Sequence, residues 1–351
     1  MKLSDFDYVL PEELIAQYPS PQREESRLII FDRKSEEIRE TRFANFPRYL
    51  QEGDILVVNE TRVIPARLYG LKKTGGKVEI FLTRRIGERK WLAMLRPSKR
   101  LRAGETIFVG AQRYPIRVEG IIDKGEWSVS LPDSVPEEEF IEDYGHVPLP
   151  PYIKRNDERR DRERYQTVYA KREGSIAAPT AGLHFTEDVL REITHRGATI
   201  IPLTLHIGPG TFRPLQHEAV EMNKLAPEFV LIKKEYVQDI EHARSQGRRI
   251  IAVGTTTTRA LESLASGKVR VQEEKELNGE TYITGWTDLF IYPGFTFRVI
   301  DSILTNLHLP RSSLLLLVAA YIGRDELLKI YRWAVRRRFR FYSYGDAMFI
   351  R

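Results

Sequence analysis

The spacing of the hydrophobic positions changes along the chain. Between residues 66 and 131, short segments alternate apolar with polar residues and are separated by turn residues. They read KVEIFLTRR, RKWLAMLRP, ETIFVG, YPIRVEGII and EWSVSL. Regular short strands without intervening helices are typical of a small antiparallel barrel. We therefore predict an inserted β-barrel domain over residues 61–150, which ends in the proline-rich connector HVPLPPYI.

Outside this segment, predicted strands alternate with helices. The run 55–58 and the segment TIIPLTLHIG are almost continuously apolar, as strands buried on both faces are. TEDVLREITHRG has Thr186 at a helix start and Gly197 after its end, and the charges of DERRDRERYQTVYAKR predict a helix held by pairs four residues apart. The pattern predicts the α/β class, with a discontinuous α/β domain (1–60 plus 151–351) that carries the inserted small antiparallel β-barrel.

The composition favours a globular protein and removes several kinds of chemistry. Of the 351 residues, 42% are hydrophobic and 30% are charged. The absence of cysteine excludes disulfides, iron–sulfur clusters, cysteine zinc sites and thiol nucleophiles. The seven histidines show no HxxxH or HxH spacing, so no metal site is predicted. The apolar run LLLLVAAY is too short to span a membrane, and the first residues lack the core of a signal peptide, so we expect a cytoplasmic protein without a membrane partner.

Basic residues are concentrated in two segments. The net charge is +6, yet segment 84–117 holds ten basic and two acidic residues, and segment 329–340 holds six basic residues and no acid. Aromatic residues lie within or beside these segments: Trp91, Trp333, Phe339 and Tyr342. Cations that neutralise phosphates, together with rings that stack on bases, favour a nucleic-acid partner. A solvated protein surface is the alternative interpretation.

Four turns at the ends of predicted strands carry polar residues that could do chemistry. Two turns are rich in small residues, which let a ligand approach the backbone; their candidates are Thr180, Gly182, His184, His206, Gly208 and Gly210. The turn in AVGTTTTRALES places hydroxyls and free N–H groups at a helix start, which suits an anion. Its candidates are Thr256, Thr257 and Thr258. The fourth region is otherwise apolar and contains Asp288, Tyr292, Asn306 and His308.

Each candidate also has a structural interpretation. His184 and His206 are flanked by apolar residues and could be core histidines, and the threonine run could simply cap a helix. No GxGxxG motif is present, so an ordinary dinucleotide-binding fold is not supported. The pattern alone indicates an α/β enzyme with an anion-binding turn and a basic surface.

Long motifs over nearly the whole chain resemble those of one family. They include FDYVLPEELIAQYP, VVNETRVIPARL, DRERYQTVYA, GSIAAPTAGLHFT, LHIGPGTF, AVGTTTTRALES, TDLFIYPGF, TNLHLPRSSLLLLVAA and RFYSYGDAMFI. In this order they resemble the S-adenosylmethionine:tRNA ribosyltransferase-isomerase family of queuosine biosynthesis. Where the family has HxMHxE, this chain reads NKLAPE, with Asn223 and Ala226 at the histidine positions and only Glu228 retained. These two positions are expected to support structure or substrate contact.

The resemblance implies an unusual reaction. The ribosyl moiety of S-adenosylmethionine (SAM) is transferred and isomerised onto the aminomethyl group of 7-aminomethyl-7-deazaguanine at the tRNA wobble position, giving epoxyqueuosine-tRNA, adenine and methionine. SAM is a consumed cosubstrate, and no permanently bound cofactor is expected. The expected partner is the anticodon loop of tRNA with a queuosine-type anticodon, and the expected state is a monomer. A SAM-dependent RNA methyltransferase and a non-catalytic RNA-binding protein are the alternatives.

The resemblance also implies the residues of the site. A base must remove a hydrogen from the carbon beside the sulfonium, and an acid must protonate the departing adenine. The candidates are His184, Asp288 and His308, and His184 is favoured because it stands beside the small loop 177–182. The implied SAM site comprises Thr180, Gly182, His206, Gly208, Gly210, Thr256, Thr257, Thr258, Arg259, Tyr292 and Asn306. The basic barrel and the arginine-rich C-terminal helix would hold tRNA phosphates.

Overall fold

The computed structural model describes residues 1–99, 101–123, 125–212 and 214–351; Arg100, part of the basic segment 84–117, and Arg213 lie outside the described residues. The strands are β1 (Arg27–Asp32), β2 (Glu37–Arg42), β3 (Ile55–Asn59), β4 (Thr61–Val63), β5 (Arg67–Lys72), β6 (Lys77–Gly87), β7 (Lys90–Arg96), β8 (Thr106–Val109), β9 (Tyr114–Asp123), β10 (Glu126–Ser130), β11 (Arg172–Ser175), β12 (Thr199–His206), β13 (Glu228–Lys233), β14 (Ile250–Val253), β15 (Val269–Leu277), β16 (Glu280–Thr287), β17 (Ser302–Asn306) and β18 (Ala347–Ile350). The α-helices are α1 (Glu137–Tyr144), α2 (Asp161–Arg164), α3 (Glu187–His195), α4 (Lys234–Ser245), α5 (Thr255–Ala265), α6 (Ser313–Ile322) and α7 (Arg324–Arg336). Within these ranges, every helix is too short or too polar to cross a membrane.

Ten strands of the described chain form one sheet, in the order β15-β16-β13-β12-β3-β14-β17-β18-β1-β2. At its centre β12, β3, β14 and β17 run parallel. All five residues of β3 are buried, as expected for a parallel strand covered on both faces. Parallel strands end at the same edge of a sheet, so Asn59, His206, Val253 and Asn306 mark one edge. We call it the carboxyl edge.

Six other strands of the described chain close an antiparallel barrel, in the order β10-β7-β6-β5-β8-β9. Alternate residues point inward, so that β5 buries Leu68 and Gly70 while Tyr69 between them is exposed. Gly70 is needed because a Cβ at this position would lie 2.5 Å from the side chain of Ile107. The predicted fold class, an α/β protein with a small antiparallel β-barrel, is confirmed. The domain limits at residues 60 and 150 stay a prediction.

Helix α3 begins at the predicted cap. The Thr186 hydroxyl accepts a hydrogen bond from the Val189 N–H over 3.2 Å, and Gly197 follows the helix with φ +80°. We expect Thr186→Ala to lower the free energy of unfolding by about 1 kcal/mol, because this N–H loses its partner. Thr194→Ala is the control, since Thr194 lies in the same helix and bonds only the Leu190 carbonyl. Equal losses in chemical denaturation would contradict the capping role.

The prediction of a long charged helix over residues 157–172 is wrong. Helix α2 covers only four of these residues. The Arg164 guanidinium donates to the backbone carbonyl of Ser20 over 2.7 Å, and the buried Asp161 accepts from the Tyr344 hydroxyl over 2.8 Å. These charged groups bind distant elements instead of partners four residues away, so the pairs that would support the helix do not form.

Candidate active site

A small cavity lies at the carboxyl edge of the sheet. One wall is the loop of small residues 177–181, and another is formed by residues 254–256, where β14 passes into α5. Asn306 and His308, which end and follow β17, also line it. Gly254 turns the chain sharply with φ +91°, a conformation that glycine adopts without strain. Three turns that are far apart in the sequence therefore face one another across this space, which we call the inner cavity.

A wider cleft of about 1180 Å³ adjoins the inner cavity. Tyr165 and Ile207 line both spaces. Among the described lining residues, four are arginines and nine are acidic: Asp123, Glu126, Glu137, Glu138, Glu139, Glu142, Asp161, Glu173 and Glu228. An excess of carboxylates disfavours a phosphate in the cleft and suits a cationic group.

Three rings form an aromatic face in the cleft. The ring of His206 stacks on Phe229 with centroids 5.8 Å apart and planes 19° apart. Phe229 contacts Trp286 on the neighbouring strand β16 at 5.5 Å, and the Arg84 guanidinium lies 5.3 Å above the Trp286 ring. The sequence gives no signal for this face, because Phe229 and Trp286 meet only through the register of β13 and β16. The Phe229 and Trp286 planes are 64° apart, so the rings form an angled corner and not one flat surface; exposed aromatic faces accept a nucleobase by stacking.

His206 lies at the end of β12, and one of its ring nitrogens is hydrogen-bonded within the protein. Its Nδ1 lies 2.7 Å from the Thr61 hydroxyl oxygen. Its Nε2 faces Gly174, where a Cβ would approach to 2.8 Å, so the glycine leaves room for the ring. Burial, assisted by the Arg172 charge, lowers the pKa of His206 to about 4. The ring is therefore neutral at pH 7 and lines the cleft.

His308 lies on the inner cavity with only 4% of its surface exposed. Its Nε2 is 2.9 Å from the Thr305 hydroxyl oxygen, and its backbone N–H donates to the Tyr331 hydroxyl oxygen over 3.0 Å. Burial lowers the pKa of His308 to about 3, so this ring is also neutral at pH 7.

His184, the base favoured from the sequence, lies behind Asn306 and not on the inner cavity. Its Nδ1 is 2.7 Å from the Ser26 hydroxyl oxygen, and its ring packs 5.1 Å from that of Phe43. Its Nε2 and the Asn306 Oδ1 are buried, and neither has a hydrogen-bond partner among the described residues. Burial, with the charge of Arg340, lowers the pKa of His184 to about 3, while the Asn306 side chain opposes this shift. His184 therefore lies near the Asn306 side chain without a hydrogen bond to it, and its ring packs in the core.

Only the beginning of the threonine turn faces the inner cavity. Thr256 lines it and accepts from the Asn59 amide over 3.4 Å. The Thr257 hydroxyl donates to the Val253 carbonyl over 2.7 Å, and the Thr258 hydroxyl donates to the Gly254 carbonyl over 3.1 Å. Contrary to the prediction, these two hydroxyls serve the helix and are not presented to a ligand.

The predicted small residues serve different purposes. Thr180 lines the inner cavity. A Cβ at Gly182 would lie 2.2 Å from the Tyr169 hydroxyl oxygen, so this glycine makes room for a tyrosine and not for a ligand. Gly208 and Gly210 line the cleft, and a Cβ at Gly208 would meet nothing within 4 Å.

A buried ion pair joins β13 to α5. The Arg259 guanidinium donates through Nη1 to Glu228 Oε2, and both side chains are almost fully buried. Glu228 Oε1 accepts from the Gly208 N–H over 3.1 Å and from the Thr211 hydroxyl over 2.9 Å. The pair therefore fixes the glycine turn that follows β12. In the sequence, the retained Glu228 is the one indication of this ion pair.

Two further predicted groups lie elsewhere. In the described structure, Asp288 and Tyr292 line neither the inner cavity nor the cleft. Trp91 and Phe339, predicted to stack on nucleic acid, are core residues with 6% and 0% exposure, so that prediction is wrong for both. The Trp91 indole N–H donates to a Glu137 carboxylate over 2.8 Å, which holds the ring inside the barrel.

Comparisons with known proteins agree with the motifs. The family model described as "Queuosine biosynthesis protein" matches residues 3–350. The chain belongs to this family. Proteins named S-adenosylmethionine:tRNA ribosyltransferase-isomerase from Aquifex aeolicus and Halothermothrix orenii are 47% and 46% identical to it over 100% of both chains. The crystal structure of S-adenosylmethionine tRNA ribosyltransferase from Thermotoga maritima is 34% identical, with a TM-score of 0.54 over 99% of this chain and 100% of that one.

This member of the queuosine biosynthesis family uses Asn223 to organise the loop before β13. The Asn223 Oδ1 accepts from the backbone N–H groups of Gln216 and His217 over 2.9 and 3.0 Å, and its amide donates to the His217 carbonyl over 2.9 Å. Ala226 lines the cleft beside Gly210. Asn223 therefore has a structural role, and Ala226 is placed for ligand contact.

Proposed function

We propose that this protein transfers and isomerises the ribosyl moiety of SAM onto the aminomethyl group of 7-aminomethyl-7-deazaguanine in the wobble position of tRNA. The products are epoxyqueuosine-tRNA, adenine and methionine. The family match over residues 3–350 carries the proposal, supported by relatives of that name aligned over their whole length. The cavity and cleft at the carboxyl edge support it as well, because open α/β sheets bind ligands there.

The two adjoining spaces suit the two substrates of this reaction. The small residues 177–181 at the inner cavity let the nucleoside of SAM lie against the backbone. The target base leaves its stack in the anticodon loop and lies on the aromatic face of the cleft. Its aminomethyl group is a cation in water, and the acidic lining of the cleft favours that charge.

The histidines on these spaces are the groups best placed to move protons. The sulfonium of SAM acidifies the neighbouring C–H bonds, so a positioned base can begin the reaction by removing one of these hydrogens. His206 on the cleft and His308 on the inner cavity are neutral at pH 7 because burial disfavours their charged forms, so each keeps one unprotonated ring nitrogen. His184 lines neither space, and the Asn306 amide is held by the Tyr342 carbonyl, to which it donates over 2.9 Å.

The tRNA phosphates bind outside the acidic cleft, on exposed basic residues of the barrel such as Lys99 and Arg102. We expect Lys99→Glu with Arg102→Glu to weaken tRNA binding and to lower the slope of log affinity against log salt by about one unit for each phosphate that the protein no longer neutralises. Arg191→Glu on α3 is the control for a charge reversal outside the barrel. The tRNA affinity of both variants is measured over a range of salt concentrations. An unchanged slope in the barrel variant would show that these residues are only a solvated surface.

Product analysis tests the proposed reaction. The protein is incubated with SAM and with tRNA that carries the aminomethyl precursor base, and the small molecules are separated by chromatography. Release of adenine and methionine in equal amounts is expected. S-adenosylhomocysteine would indicate a methyltransferase, and binding without any product would indicate an RNA-binding protein. Either result contradicts the proposal.

A further inference from the structure

The Arg259 guanidinium is buried with part of its hydrogen-bonding capacity unused. Its Nε donates to the Leu289 carbonyl over 2.9 Å, and its Nη1 donates to Glu228. Its Nη2 is buried and has no hydrogen-bond partner among the described residues. The hydrogen bonds of Glu228 come from Arg259 Nη1, the Gly208 N–H and the Thr211 hydroxyl, and none comes from Nη2. A buried cation with unpaired donors is unfavourable unless an acceptor reaches it.

A third, smaller cavity lies in front of this guanidinium. Arg259 and Glu228 line it together with Thr211, Ala226 and Leu314. Ala226 and Glu228 also line the cleft, and Thr211 and Leu314 also line the inner cavity. The small cavity is therefore a side space of the proposed site, within reach of a ligand that occupies it.

The lining indicates what kind of group belongs in this side space. Planar guanidinium donors match the two oxygens of a carboxylate. Ser313 and Leu314 are the first residues of α6, and N–H groups at a helix start lack intrahelical partners and favour a negative charge. Leu225, Ile291 and Leu317 supply an apolar wall. A carboxylate on a short apolar chain fits this combination better than a bulky, highly charged phosphate does.

We propose that Arg259 Nη2 binds the α-carboxylate of the methionine moiety of SAM. This inference rests on the proposed function and deepens it, because it assigns one end of the cosubstrate to a particular side chain. The same carboxylate is present in the methionine that the reaction releases, so Arg259 holds this group before and after the ribosyl moiety departs. Glu228 sets the angle of the guanidinium and acts as a positioning residue.

Decarboxylated SAM tests the assignment directly, because it lacks only the carboxylate. Dissociation constants for SAM and decarboxylated SAM are measured by calorimetry on the unaltered protein, which needs no variant. We expect SAM to bind roughly tenfold tighter or more, the scale of one charge-assisted contact that is lost. Equal affinities would overturn the inference while leaving the proposed function standing. Binding of neither compound would contradict the proposed function itself.

Two variants locate the contact. Arg259→Lys keeps a cation beside Glu228 but removes the planar guanidinium with its Nη2 donors. Ala226→Asp places a competing carboxylate in the side space, at an exposed position that tolerates the substitution. In both variants we expect SAM to lose roughly tenfold in affinity while decarboxylated SAM changes by less than about threefold. Equal loss for both ligands, or no loss for either, would show that the space holds only water.

Arg249→Lys is the matched control. Arg249 is also an arginine in a largely buried ion pair, but it lies at the opposite edge of the sheet, and its Nε donates to Asp54 over 2.9 Å. Its Nη2 donates to the same carboxylate and to the Tyr49 carbonyl. This variant should leave the ratio of the two dissociation constants unchanged. Methionine, added as a competitor of SAM, shows whether the product carboxylate uses the same contact. If it does, methionine should inhibit SAM binding less in the Arg259→Lys variant than in the unaltered protein.

Discussion

The free energy of unfolding is expected to fall steeply as the pH is lowered from about 6.5 to about 5, because His184 and His308 are buried and His206 is partly buried, all as neutral rings. Burial lowers the pKa of His184 and His308 to about 3 and that of His206 to about 4, from an ordinary value of 6.5. Between these values the unfolded chain binds protons that the folded chain does not, so acid favours unfolding. Each ring contributes about 1.4 kcal/mol per pH unit, and the three together about 4 kcal/mol per unit.

Urea denaturation followed by circular dichroism over this pH range measures the slope. His184→Gln removes one titrating ring and should reduce the slope by about a third. His195→Gln is the control, because His195 is exposed at the end of α3 and its removal should leave the slope unchanged. A free energy of unfolding that is flat over this range would contradict the neutral, buried state of the histidines.

His206→Ala is expected to lower the single-turnover rate by roughly 10²-fold or more, the usual scale for removal of a general acid or base. The ring lines the cleft, is neutral at pH 7 and stacks on Phe229, where the target base is proposed to lie. SAM binding should change little, because the inner cavity does not include this side chain. Rapid-quench measurement of adenine release, with separate determination of the SAM dissociation constant, distinguishes the two effects.

Two further variants sharpen the comparison. His206→Gln keeps an acceptor for the Thr61 hydroxyl but does not transfer a proton at pH 7, so it should be as slow as His206→Ala. His184→Ala should mainly lower the free energy of unfolding, because the side chain packs against Phe43 and bonds Ser26. If His184→Ala is slow at full stability while His206→Ala retains its rate, the proton-transfer role belongs to His184, as the sequence suggested.

The strands of the central sheet could be predicted because burial on both faces requires apolar residues throughout. The run 55–58 and the segment ending at His206 are apolar almost throughout, which marks burial on both faces. The barrel strands alternate apolar with polar residues, which marks burial on one face. The α3 cap was readable for a similar reason, since a local hydrogen bond depends on residues only three apart. These features are local, and the sequence pattern records them directly.

The choice among the histidines could not be made in this way. His184 and His308 both stand among apolar neighbours, and only the folded structure shows that His308 lines the inner cavity while His184 does not. The pairing of Phe229 with Trp286 depends on the register of strands from different parts of the chain. The unused Nη2 of Arg259 is likewise a property of the folded environment, because any arginine in a sequence has the same five donors.

Strand β18 joins the two ends of the chain. It pairs with β1 in parallel and with β17 in antiparallel, so β1 and β2 reach the rest of the sheet only through residues 347–350. During translation, the apolar side chains of β1 therefore leave the ribosome long before their partner strand exists, and they need protection until it emerges. The turn that precedes β18 also supplies Tyr342 and Ser343 to the inner cavity. Pairing of β18 therefore completes the sheet and the wall of the inner cavity together.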